Sequence, residues 1–118
     1  MNKLIRHNEL VEFYTPEKCF ITEVLNNPSF PTSIAIARVE PGITTEWHTL
    51  VDTDEVYYIL EGKGRMEIDN NVAGDMESKD AVHIPANKSQ RITNTGSTDL
   101  VFLCICAPRF QVDNYRSD

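Results

Sequence analysis

The sequence predicts an all-β protein, a sandwich or closed barrel of short strands. Runs rich in β-branched and aromatic residues recur at intervals of roughly 8–12 residues, which is typical of such folds. Turn residues separate the runs, as in the Pro-Gly pair at 41–42 and the Asp-Asn-Asn segment at 69–71. No stretch shows a convincing helical periodicity. Together these observations favour strands throughout.

Alternation and composition predict the individual strands. Residues 32–39 place Ile34 and Ile36 on one face, and residues 65–69 alternate Met66 and Ile68 with charged side chains. The run 100–107 is apolar on both faces, which indicates a strand covered on each side. Further strands are predicted at residues 55–60, 81–85 and 90–94.

The stretch 42–62 is predicted to form two strands joined by a tight turn at residues 52–54 (Asp-Thr-Asp). His48 and Leu50 share one strand face, and Glu55 and Tyr57 share a face on the returning strand. Folding about this turn is expected to place Glu55 within about one cross-strand residue pair of His48. Because a buried charge is expensive unless it is paired or metal-bound, this convergence points to a binding site.

The length of 118 residues suits a single domain spanning residues 1–118. Residues 1–31 are expected to form an N-terminal extension with one or two strands, and residues 108–118 a polar C-terminal tail. We expect a cytoplasmic protein, because the N-terminus does not resemble a signal peptide and no run approaches the ~20 apolar residues of a membrane helix.

Charge and cysteine content narrow the classes of partner. The net charge of −7, from 18 acidic and 11 basic residues, argues against nucleic acid and anionic membranes, which both favour clustered Lys and Arg. Three cysteines cannot all pair internally. Cys104 and Cys106 lie two apart on one strand face, where disulfide geometry is poor, so we expect them to be small packing residues.

A family resemblance rests on the spacing of four residues. Gly42 is followed after five residues by His48, and Glu55 is followed after six residues by Gly62. This pattern resembles the first motif of the cupin superfamily, G-x5-H-x-H-x3/4-E-x6-G. Leu50 stands where the family has its second histidine. The first motif therefore matches with one departure at a metal-ligand position.

A weaker second motif follows at the place where the family has it. It comprises Gly74-Asp75, Ile84-Pro85, Asn87, Gln90 and Asn94. Gln90 occupies the position of the family's third histidine, and Asn87 replaces a glycine. The resemblance covers residues 42–94, just under half of the chain. It implies a double-stranded β-helix, that is, a jelly-roll barrel, and a homodimer.

The resemblance also implies a candidate metal site. His48, Glu55 and Gln90 would hold one divalent ion, such as Zn, Mn, Fe or Ni, although a neutral amide is a weaker ligand than imidazole. With Leu50 unable to bind, this is a poor site by the two-histidine, one-carboxylate standard for iron. The alternative is a barrel that has lost its metal and binds organic ligands through hydrogen bonds.

Catalytic roles are predicted for Tyr57 and Glu55. Tyr57 should project into the same interior as Glu55, where its phenol would act as an acid or base, or would line the pocket and hydrogen-bond Glu55. Glu46 and His83 are further candidate ligands, for which ordinary strand positions are the simpler interpretation.

Two functions are compatible with these residues. The first is a metal-dependent enzyme that acts on a small molecule, an isomerase, cyclase or dioxygenase, with the ion polarising a carbonyl or enol. The second is a non-catalytic module that binds or senses a small ligand, with a degenerate or absent metal site. Leu50 and Asn87 favour the second function, because they depart from the family pattern.

Overall fold

The computed structural model describes residues 4–118, which are almost entirely β-strand, turn and loop. Two three-residue 3₁₀ helices, His7–Glu9 and Val112–Asn114, lie outside the strands, and within residues 4–118 no helix is long and apolar enough to cross a membrane. The strands in chain order are β1 Glu12–Tyr14, β2 Phe20–Leu25, β3 Ser33–Val39, β4 His48–Leu50, β5 Asp54–Glu61, β6 Gly64–Ile68, β7 Asn71–Met76, β8 Ala81–Ile84, β9 Ser89–Asn94, β10 Leu100–Ala107 and β11 Tyr115–Ser117.

The strands form two antiparallel sheets. One sheet has the order β1-β2-β3-β10-β5-β8, and the other has the order β11-β4-β9-β6-β7. The core is built by side chains from both sheets, among them Ile59 and Phe102 from the first and Met66 and Ile92 from the second. Two packed antiparallel sheets with this crossing order make a jelly roll, which confirms the predicted fold class.

The predicted strands agree with the observed ones to within one or two residues, whereas two observed strands have no counterpart in the sequence prediction. β7 is largely exposed, and β11 has only three residues, so neither carries a clear alternation of apolar side chains. Strand β11 pairs with β4, with Tyr115 opposite Leu50. The tail at residues 108–118 therefore adds a strand to the second sheet.

The predicted hairpin between residues 42 and 62 is wrong. β4 pairs with β9 and β11, whereas β5 pairs with β10 and β8, so the turn at residues 52–54 carries the chain from one sheet to the other. His48 and Glu55 nevertheless approach each other, because the inner faces of the two sheets oppose one another. Asp52 has a positive φ of 54°, a conformation that aspartate tolerates in tight turns.

Gly62, in the turn between β5 and β6, gives a first testable prediction. Its φ is +85°, and an added Cβ would lie 2.7 Å from the carbonyl oxygen of Asp99. Gly62→Ala should therefore lower the free energy of unfolding by about 2 kcal/mol, measured by urea denaturation. Gly42→Ala is the matched control, because Gly42 has a φ of +78° and open space around the added Cβ. Equal losses in the two variants would contradict the clash at Gly62.

Candidate functional site

A cavity of about 140 Å³ lies between the two sheets and is lined by residues of both. Small side chains on the first sheet leave this space. Ala35 and Ala37 come from β3, and Cys104 and Cys106 from β10. The opposite wall is contributed by His48 on β4. The two cysteines were predicted to be packing residues, and the structure places both against this open space.

His48 is held in one orientation by contacts on both sides of its ring. Its side chain is buried, and the ring stacks on Tyr115 with centroids 5.1 Å apart. Nδ1 donates a hydrogen bond to the carbonyl oxygen of Glu46 at 2.8 Å, because a carbonyl oxygen can only accept. Oε2 of Glu17 lies 3.5 Å from the same nitrogen. In this tautomer Nε2 is the ring nitrogen that remains available to a ligand.

Glu55 is a buried carboxylate with one oxygen unused. The residue is 6% exposed, and Oε2 accepts a hydrogen bond from Sγ of Cys106 at 3.5 Å. Oε1 has no hydrogen-bond partner among the described residues. Burial raises the pKa of Glu55 to about 7, against smaller opposing effects of His48 and the nearby Gln90 amide. No hydrogen bond of ordinary geometry joins Gln90 to Glu55 in residues 4–118, so the unused oxygen is available to a ligand.

Tyr57 projects inward as predicted, but its hydrogen bond does not go to Glu55. The phenol of Tyr57 donates to Oε1 of Gln90 at 2.6 Å, and its ring packs against Phe102. Burial raises the pKa of Tyr57 well above its ordinary value, which favours the neutral phenol, a hydrogen-bond donor. Gln90 on β9 lies directly opposite His48 on β4 in the second sheet, so these two neighbouring strands carry both side chains.

The predicted ligand set provides too few donors for a resident metal ion. His48 and Glu55 each have a free donor atom, whereas Oε1 of Gln90 is a neutral donor that already accepts a hydrogen bond from Tyr57, and Gln90 does not line the cavity. Leu50, which also lines the cavity, has no donor atom. Within residues 4–118 no group of three or more His, Cys, Asp or Glu side chains is arranged to hold an ion. The donor set therefore does not fit the three or four protein ligands that usually hold a resident ion.

Glu46 and His83 lie outside the cavity. Oε1 of Glu46 accepts hydrogen bonds from Tyr115 and Ser117 in the C-terminal segment. His83 is exposed and contacts a carboxylate oxygen of Asp54 at 3.0 Å. The simpler interpretation, that both are ordinary structural positions, is therefore the one that the contacts support.

The terminal segments supply cavity residues that sequence reasoning missed. Glu17 and Cys19 come from the loop between β1 and β2, and Phe110 and Tyr115 come from the C-terminal segment. Burial raises the pKa of Glu17, and His48 opposes that shift. In the sequence, the one indication that these segments contribute to the cavity is the presence of acidic and aromatic residues in otherwise irregular stretches. Their partners lie far away in the sequence, so no local pattern reveals them.

The fold and the cavity define a small β-barrel protein with a cavity between its two sheets. The family model described as Cupin domain matches residues 35–106, more than half of the chain. The chain belongs to the cupin family. The resemblance in the two motifs is thereby confirmed.

Two relatives are similar in sequence. An uncharacterised protein from Methanocaldococcus jannaschii is 30% identical over 107 residues, which cover 88% of this chain and 85% of that protein. An oxalate-binding protein from Thermotoga maritima is 34% identical over 68 residues, 58% of this chain and 55% of that protein.

Solved structures share the fold at lower identity. A predicted oxalate decarboxylase from T. maritima has a TM-score of 0.80 at 22% identity, covering 90% of this chain and 99% of that one. The nucleoside dehydratase Pac13 has a TM-score of 0.83 at 16% identity, covering 100% and 92%, and variants of the Streptomyces protein are known with uridine. KdgF from Halomonas sp. has a TM-score of 0.82 at 13% identity, covering 96% and 98%.

Proposed function

We propose that the protein is an acid–base catalyst that moves a proton on a small organic molecule bound in the cavity. The observation that carries this proposal is Oε1 of Glu55, a buried carboxylate oxygen that lines the cavity and has no partner in the described chain. A folded protein rarely leaves such an atom unsatisfied without a functional reason. A bound molecule with an acidic hydrogen would satisfy it.

The chemistry of Glu55 suits proton transfer near neutral pH. A carboxyl group with a pKa of about 7 is present in both forms at that pH, so it can accept a proton in one step and return it in the next. Nε2 of His48 supplies a second acid–base group on the opposite wall. Isomerisation next to a carbonyl or enol is the reaction class that needs only these two groups.

Tyr57 and Gln90 act as positioning residues in this proposal. The phenol of Tyr57 fixes the amide of Gln90 by its hydrogen bond to Oε1, which holds this amide near Glu55. The Gln90 amide lowers the pKa of Glu55, so it favours the ionised carboxylate that acts as the base.

Deuterium exchange tests the proposal whatever the eventual product is. Small carbonyl compounds incubated with the protein in D₂O should gain deuterium at carbon, followed by NMR, at a rate that rises as the pH passes through about 7. Glu55→Gln should slow this exchange by roughly 10²–10⁴-fold, the usual contribution of a general base.

The control is Glu40→Gln, which removes one exposed carboxylate outside the cavity and should exchange like the parent. Exchange should also survive a chelator. If a chelator abolishes it and a divalent ion restores it, the metal-dependent enzyme inferred from the family resemblance replaces this proposal. Exchange that is equally fast in parent and Glu55→Gln would disprove the role of Glu55.

A non-catalytic binding module is the second candidate, and Leu50 is the observation that favours it. The side chain lines the cavity at a motif position where the family has a metal ligand, so this position provides contact area and no reactive group. A compound that binds in the cavity and shows no exchange in the parent protein would support this second function.

A further inference from the structure

The ionisable groups that line the cavity are unbalanced in charge. Glu17, Glu23 and Glu55 line it, with Glu23 exposed and the other two largely covered. Among residues 4–118, no lysine or arginine lines this space, and His48 is the single side chain there that could carry a positive charge. An imidazolium could balance one of the two inner carboxylates, and the structure places it beside Glu17.

Glu55 shares its one potential counter-charge in the cavity, His48, with Glu17. Its Oε2 has a weak thiol donor in Cys106, and its Oε1 makes no hydrogen bond in the described chain, where the nearby Gln90 amide is neutral. A buried carboxylate is costly unless a cation or a hydrogen-bond donor compensates it. Because the described chain makes no hydrogen bond or ion pair with Oε1, a positively charged group on a bound molecule would compensate it.

The remaining surface of the cavity suits an organic cation. Five aromatic rings line it, on Phe13, Tyr57, Phe102, Phe110 and Tyr115. Aromatic faces attract cations, most strongly where water is excluded, and they offer no ligand to a hard metal ion. A cavity of about 140 Å³ is close to the roughly 150 Å³ that accommodates a benzene ring, so the occupant is a molecule of about one ring in size.

We propose that the ligand is a small organic cation, a protonated amine whose ammonium group contacts Oε1 of Glu55 and whose carbon skeleton packs on the aromatic rings. This inference rests on the proposed function, because it names the substrate class for the same cavity.

The same charge balance disfavours a small dicarboxylate as the ligand. An anion would meet the carboxylates of Glu17, Glu23 and Glu55 with only His48 to attract it. The T. maritima relative is named as an oxalate-binding protein. In the region that they share, the two proteins are expected to differ in the charge of the ligand that they accept.

A matched set of ring compounds tests the charge preference by calorimetry at pH 8. Benzylamine, benzyl alcohol and benzoate share one ring and differ in charge, being positive, neutral and negative. Benzylamine should bind at least 10-fold more tightly than benzyl alcohol, and benzoate should show the weakest binding. Equal binding of the first two, tighter binding of benzoate, or no binding of any of the three would each overturn the proposal.

Variants locate the effect at the cavity. Glu55→Gln should remove the preference for benzylamine over benzyl alcohol, whereas Glu40→Gln, which loses the same charge at an exposed position, should retain it. Glu17→Gln is a second variant that should weaken the preference if Glu55→Gln fails to fold. Displacement of benzylamine by an equimolar divalent ion such as nickel would overturn the proposal in favour of a metal.

The two experiments distinguish failure of the organic-cation proposal from failure of the proposed acid–base catalysis. Calorimetry reports the charge of the ligand, whereas deuterium exchange reports proton transfer by Glu55. If the protein shows no charge preference but still catalyses exchange, the amine ligand is disproved and the acid–base catalyst stands. Selective binding of benzylamine without any exchange would leave an amine-binding module.

Discussion

Glu55→Gln is expected to stabilise the protein above neutral pH by about 3 kcal/mol, because it removes a carboxylate whose cost of burial outweighs the opposing effects of His48 and the Gln90 amide. For a domain of this size that corresponds to a rise in Tm on the order of 10 °C. Gln keeps an acceptor oxygen for Cys106 and has nearly the same shape, so the variant leaves the packing of the cavity wall intact.

The direction of this change in stability follows from the pKa values of Glu55 in the folded and unfolded states. The pKa is about 7 in the folded protein and 4.5 for an ordinary glutamate, so between these values the folded state holds a proton that the unfolded chain has released. The contribution of Glu55 to stability is therefore most favourable below pH 4.5 and is lost as the pH rises through 7. Glu17, whose pKa burial also raises, contributes in the same direction.

Urea denaturation at a series of pH values from 5 to 8 measures the effect. The parent should lose stability across this range, and Glu55→Gln should have a flatter profile that lies above the parent at pH 8 and approaches it at pH 5. Glu40→Gln should follow the parent profile, since its side chain is exposed. A variant that is less stable than the parent at pH 8 would show that an ionised Glu55 is compensated within the fold.

Local patterns predict the strands well and their partners less well. The alternation of Met66 and Ile68 with charged residues is a property of neighbouring residues, and the structure has a strand there. The partner of β4 is decided by contacts far along the chain, since His48 lies opposite Gln90. The turn residues 52–54 look the same whether the chain folds back beside itself or crosses to the other sheet.

Only part of the candidate site could be predicted, because local sequence patterns do not show contacts between distant segments. His48 and Glu55 stand out because the motif spacing places them on inward strand faces, and both line the cavity. Glu17 and Tyr115 lie in short segments without periodicity, and each reaches His48 only through the tertiary fold. Proximity in sequence favours Glu55 as the partner of Tyr57, whereas the packing of the two sheets gives it Gln90.

Leu50→His is expected to create tight binding of zinc or nickel that is at least 100-fold stronger than in the parent. Leu50 is buried, follows His48 by two residues on the same strand face, and lines the cavity. An imidazole at this position would join His48 and Glu55 to give three protein donors of the kinds that these ions prefer, with open positions for solvent.

The measurement is elemental analysis of protein prepared without chelators or nickel columns, followed by calorimetric titration with zinc. The variant should retain about one ion and gain at least about 2.7 kcal/mol of stability when zinc is present at 100 times its Kd. Adding His48→Ala to Leu50→His should abolish this gain, because two donors remain. If the parent already binds zinc as tightly as Leu50→His, then His48, Glu55 and Gln90 suffice to hold an ion, and the ligand set inferred from the family resemblance is correct. If Leu50→His instead binds zinc at least 100-fold more tightly than the parent, one side chain accounts for the weak metal binding of this cupin. Leu50 then occupies, with an apolar side chain, the position where a third strong donor would stand.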